Sequence, residues 1–202
     1  MLFRSSSIAV GARVAWCAAG VGGVLTQHRT DPGLGPRGLA LLRSGCSAQE
    51  TLDALVASTR HAQWRQIAVM DAAGNTAAFN GTRTKPEMSA APAQDACALG
   101  NILANARVPA AMLRVFQADP TEPLAERLLL ALEAGLAAGG ESAPVRSAHL
   151  LVVGQESFPL IDLRVDWHDA PIGELRSLWQ VYAPQVSLYV MRALDPDNPA
   201  IR

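Results

Sequence analysis

Aromatic residues are scarce: they make up 5% of the 202 residues, although half the chain is hydrophobic. Its core must therefore be assembled from Ala, Leu, Val and Ile. Lysine is nearly missing too, since Lys85 is the single one among 17 basic residues. Against 18 acidic residues this leaves a formal net charge of -1, spread along the chain. A nucleic-acid surface needs cations clustered to displace phosphate counterions, and no such run exists. Nucleic acid is excluded as a partner. The three cysteines, Cys17, Cys46 and Cys97, include no C-x-x-C pair. A set so sparse and odd in number points away from a disulfide framework and towards a reducing, cytoplasmic setting. No window reaches the roughly 20 apolar residues that span a bilayer. Arg13 also interrupts the apolar stretch of Met1 to Gln27, so neither a signal peptide nor membrane attachment is expected.

Motifs of several chemistries are lacking as well. There is no G-x-x-x-x-G-K-[ST] and no G-x-G-x-x-G after a strand. Gly33-Leu34-Gly35-Pro36-Arg37-Gly38 comes near a phosphate loop, but Pro36 removes a backbone donor that such a loop needs. His28, His61, His149 and His168 show no metal-ligand spacing, and no G-x-S-x-G elbow occurs. No cofactor and no metal are expected. His149 reads as a core histidine, and Asp162-x-Arg164-x-Asp166 as charges sharing one strand face.

What the chain does contain is hairpins separated by pairs of helices. Ser7 to Val14 and Val21 to Gln27 read as strands, joined through Ala19-Gly20. A helix starts near Pro36 and stops at Gly45. Ser47 with Glu50 is a capping box that opens a second helix. Trp64 to Met70 and Asn75 to Phe79 form a hairpin around Asp71-Ala72-Ala73-Gly74, followed by an irregular loop over Asn80 to Gln94. Helices are predicted over Val108 to Phe116 and Pro123 to Ala138, the second carrying Leu124, Leu128, Leu132 and Leu136. A last hairpin, Ser147 to Val153 with Leu160 to Val165, precedes a helix over Ile172 to Tyr182. Another is expected over Gln185 to Leu194, leaving 195–202 as a polar tail to a single domain over 1–194. This order predicts antiparallel sheets with segregated helices and disfavours alternating βαβ units.

Polar residues gather where strands end: Ser5-Ser6-Ser7, Thr26-Gln27, Asn80-Gly81 and Gly100-Asn101. Together with Asp31-Pro32-x-x-Gly35-Pro36, Arg65-Gln66-x-x-Val69-x-Asp71, Leu124-Ala125-Glu126-Arg127 and Ile161-Asp162-Leu163-Arg164-Val165-Asp166, they make the chain resemble the bacterial domain of unknown function 1028 family from Ser5 to Leu194. The resemblance implies an α+β fold, the four-layer αββα sandwich of N-terminal nucleophile (Ntn) hydrolases. In such enzymes the first residue attacks an amide and its own α-amine takes the proton. It implies a small amide or peptide-like substrate, with Asn101 stabilising the oxyanion. Ser7, Thr26, Gln27, Asn80 and Gly100 would line the substrate site. Two departures qualify this. Family members begin with an extra strand headed by Thr, and Asn80 stands where Thr is expected. Two expectations follow: an amidohydrolase with a misplaced start, or a non-catalytic relative that binds small molecules as a homodimer. A third, that removal of Met1 to Arg4 frees Ser5 as nucleophile, competes with Ser5 and Ser7 being substrate-contacting neighbours on one strand face.

Overall fold

The computed structural model describes residues 1–84 and 87–201. All strand pairs within it are antiparallel, as the hairpin order predicts. The largest sheet has the order β2 (Ala15–Ala18), β3 (Gly22–Gln27), β4 (Gln66–Asp71), β5 (Thr76–Asn80). Helices α1 (Leu34–Arg43) and α2 (Ala48–Ser58) cover one of its faces. Leu34, Leu39, Leu42, Leu52 and Leu55 from the helices pack there on Val24, Ile67, Val69 and Ala77 from the strands. The capping box is present: Ser47 Oγ accepts from Glu50 N–H, and Glu50 Oε2 accepts from Ser47 N–H at 2.8 Å. Two orphan donors at the start of α2 are thereby satisfied.

A three-stranded sheet has the order β1 (Leu2–Ser5), β8 (Ser147–Val153), β9 (Pro159–Val165). Helices α4 (Leu124–Ala137) and α5 (Pro171–Tyr182) cover its outer face, where Ala125, Leu129 and Leu175 meet Ala148, Leu150, Val152, Ile161 and Val165. A smaller cluster of Phe3, Val10 and Val14, with Met1, Ala15 and Leu25 against it, ties β1 to β3. Strands β6 (Ser89–Ala93) and β7 (Ala96–Gly100) form a separate two-stranded ribbon, and α3 (Val108–Ala118) packs on it and on α4. The last helix, α6 (Val186–Leu194), follows a 3₁₀ turn. Among the described residues no helix is long and apolar enough to cross a membrane. The fold is mixed α+β.

Three expectations need correction. Ser7 to Val14 is not a strand: β1 ends at Ser5, and the chain then turns, with Ala9 at φ 52° and a 3₁₀ turn over Val10–Ala12. Val10 and Val14 both reach the small cluster because they lie four apart on a coiled path, and alternation plays no part. Ser5 and Ser7 therefore share no strand face. The segment 80–94 is not wholly irregular, because it contains β6.

Candidate functional site

Three neighbouring strands carry an amide at the same end. In the antiparallel register Gln27 lies opposite Gln66, and Gln66 opposite Asn80. Gln66 is fully buried. Its Oε1 accepts from Gln27 Nε2 at 2.6 Å and from Asn101 Nδ2 at 3.0 Å. Its Nε2 donates to Asn80 Oδ1 at 2.7 Å and to the Gly100 carbonyl at 2.9 Å, with Ser89 O further off at 3.4 Å. Both lone pairs and both N–H groups of Gln66 are thus used. Residues from four strands and the turn after β7 are locked into one amide network.

Gln27 and Asn101 also line a cavity of about 1100 Å³, bounded by β1, β3, β4, β7 and the helices α3 and α4. Each spends one N–H on Gln66. Among the described residues the other N–H and the side-chain carbonyl of each make no further hydrogen bond, although both residues line the cavity. Ile102, next to Asn101, holds φ 54°, a region costly for a β-branched residue. Its carbonyl is pinned by Ser142 N–H at 2.8 Å, which helps hold the turn that aims Asn101.

The sequence-selected residues divide into groups. Gln27, Asn80, Gly100 and Asn101 converge on Gln66. Asn80 acts behind the wall, since it braces Gln66 without lining the cavity. Thr26 does not belong to the cavity: it is fully buried opposite Ile67, on the face covered by α1 and α2, and Oγ1 reaches Asp31 O at 3.4 Å. Alternation along β3 separates it from Gln27. Ser5 and Ser7 both line the cavity, but Ser5 Oγ accepts from Ser7 N–H at 3.0 Å and bonds to no base among the described residues.

Two further wall residues escaped the sequence reading. Glu141 accepts from Ser6 N–H at 3.1 Å, and burial pushes its carboxyl up despite that bond and the nearby Arg4. Burial likewise pulls the Arg4 guanidinium down, partly offset by Glu141. The cavity thiols are poor nucleophiles at neutral pH, since burial raises Cys17 and takes Cys97 to about 11. Among the described residues no group of three or more His, Cys, Asp or Glu side chains is placed to hold a metal ion.

Beneath β1, His149 is buried and its Nε2 lies 2.8 Å from Asp162 Oδ1. The pairing favours a charged ring and burial opposes it; burial dominates and lowers the pKa, because Asp162 is half exposed and its charge is screened. The contact is then a hydrogen bond from a neutral imidazole. An unfolded histidine takes up its proton near about pH 6.5, whereas this one does so only at lower pH. Between those values the unfolded chain binds more protons, so stability falls as pH drops through them. Urea midpoints at about pH 7.5 and pH 5.5 should differ more in the wild type than in His149→Gln; equal differences would contradict the assignment.

The family model named "Family of unknown function (DUF1028)" matches residues 2–175. The crystal structure of protein SPO2555 from Silicibacter pomeroyi, itself described as DUF1028, superposes with a TM-score of 0.84 at 30% sequence identity, covering 90% of this chain and 79% of that one. The comparison with curated proteins gave no match. Sequence and fold agree over most of the chain, and the chain belongs to the DUF1028 family, whose function is unknown.

Proposed function

We propose that this chain binds a small amide or peptide-like molecule in the cavity between its two larger sheets. The observation that carries the reading is the pair Gln27 and Asn101, each braced by buried Gln66 and each turned to the cavity. A side-chain amide has both a donor and an acceptor, which matches the N–H and C=O of an amide ligand. The apolar remainder of the wall, with Met112, Leu128 and Leu132, supplies the desolvated surround that makes such bonds count. The layers support an Ntn-hydrolase-like sandwich: α1 and α2 lie outside one sheet, α4 and α5 outside the other, and Phe3, Val10 and Val14 lie between.

Hydrolysis of the bound amide is a second reading, favoured by Asn101. Its remaining N–H, beside the strained Ile102, is suited to a developing oxyanion. Ser5 serves that reading poorly, because no base among the described residues hydrogen-bonds to it.

Calorimetric titration with a panel of N-acyl amino-acid amides tests both. At least one member is expected to bind, and Gln27→Ala and Asn101→Ala should each weaken it about tenfold, the worth of one lost hydrogen bond. A panel that leaves the protein untouched, or affinities indifferent to both substitutions, would sink the binding reading. Release of free amine from the bound member decides hydrolysis.

A further inference from the structure

Beyond Gln27 the cavity wall carries a cation, Arg29. His28 and Arg29 follow directly, at φ 52° and 44°, and both line the cavity. Two successive non-glycine residues in the left-handed region are strained, so the surroundings impose this path. It brings Arg29 over the Trp64 indole, with Cζ 4.7 Å from the ring centroid. Arg83 lies over the same ring at 5.6 Å, and the His28 ring stacks on it at 6.2 Å with 8° between planes. Among the described residues neither the Arg29 nor the Arg83 guanidinium makes a hydrogen bond or ion pair. Arg65, next to Trp64, has a buried Nε with no hydrogen-bond partner among the described residues.

These arginines are separated by dozens of residues in sequence and meet only in space. A guanidinium held over an indole by a cation–π contact still has its N–H donors to offer a ligand. A planar fork of that kind matches a carboxylate through two parallel hydrogen bonds. We propose that Arg29, which lines the cavity and lies over Trp64 with Arg83 above the same ring, binds a carboxylate of the amide ligand with Arg83 in support, so that the substrate class is N-acyl amino acids and related acidic amides. This rests on the cavity being the ligand site, and it adds which molecules enter.

The test uses the whole chain and paired ligands: N-acetylglycine, N-acetyl-β-alanine and 4-acetamidobutyrate, each against its neutral primary amide, titrated by calorimetry at low salt. At least one acid should bind ten times or more tighter than its neutral amide. Added sodium chloride should narrow that ratio. In the double variant Arg29→Gln/Arg83→Gln the ratio should fall to near one while the neutral amides bind as before. An acid-to-amide ratio near one in the wild type, or a ratio unmoved in the double variant, overturns the proposal and leaves the cavity reading standing. If no compound binds, the cavity reading fails on its own. The rim is then judged by the ¹⁵N-indole resonance of Trp64 under sodium acetate against sodium chloride. A shift with acetate that the double variant loses supports the carboxylate site; no shift overturns it.

Discussion

Gln66→Leu is expected to destabilise the protein by about 3–4 kcal/mol, lowering the thermal midpoint by roughly 10 °C. Leucine fills a similar volume but supplies no donor and no acceptor. Gln27 Nε2, Asn101 Nδ2, Asn80 Oδ1 and the Gly100 carbonyl all lose their partner at once. Each such loss costs about 1–3 kcal/mol when the group stays dry. Gln27, Asn80, Gly100 and Asn101 are only half-buried, so water recovers part of it and the total falls well short of four full penalties. Gln66→Glu separates shape from chemistry. The introduced carboxylate would face Asn80 Oδ1 and the Gly100 carbonyl, acceptor against acceptor. Its pKa in the fold would rise, so stability should be regained as pH falls towards that raised value and lost again above it. Thermal melts of the three proteins across pH check this, and a Gln66→Leu melt within a degree or two of wild type would refute the network's importance.

Gly22→Ala is expected to cost about 3 kcal/mol or more. Gly22 opens β3 opposite Asp71 at φ 131°, and an added Cβ would lie 2.1 Å from the Met70 carbonyl oxygen. That atom is backbone in the adjacent β4, so relief requires pulling the two strands apart. Gly20 is the control: it has φ 66° and open space around an added Cβ. Gly20→Ala should therefore cost only the left-handed strain, about 1 kcal/mol. Denaturant midpoints measure both, and similar losses would mean that contact with Met70 adds nothing.

The helices and two of the hairpins, β4–β5 and β8–β9, are legible in the sequence because their signals are local. Ser47 and Glu50 lie three apart, and the turn Asp71 to Gly74 sets the β4–β5 register within the fifteen residues from Gln66 to Asn80. That register already places Gln66 opposite Asn80, so the centre of the amide network was within reach of the hairpin argument. Gln27 and Asn101 were not, since their approach depends on pairings made over longer loops. The β6–β7 ribbon leaves little trace in the sequence because half the residues of SAAPA and ACALG are alanine, with Pro92 inside a strand; such residues give weak strand signals. Leu2–Ser5 was overlooked for the opposite reason, a more apolar run just after it that coils instead. The arginine pair over Trp64 is invisible in composition: Arg29 and Arg83, far apart in sequence, meet only at that ring.

The pairing of β1 with β8 governs the order in which this molecule can be made. Leu2 lies opposite Leu150, whereas β8 and β9 meet across a short connection from Val153 to Pro159. By loop-closure entropy alone the first contact costs about 2–3 kcal/mol more than the second. Strands β2 to β5, all between residues 15 and 80, can pair while later residues are still emerging from the ribosome. The N-terminal strand must then wait, its edge unpaired, until residue 147 and beyond arrive. Non-local closure of this kind slows folding. Since β1 and β8 both contribute to the cavity wall, the cavity is among the later parts of the fold to form, closed only once the residues of β8 have emerged.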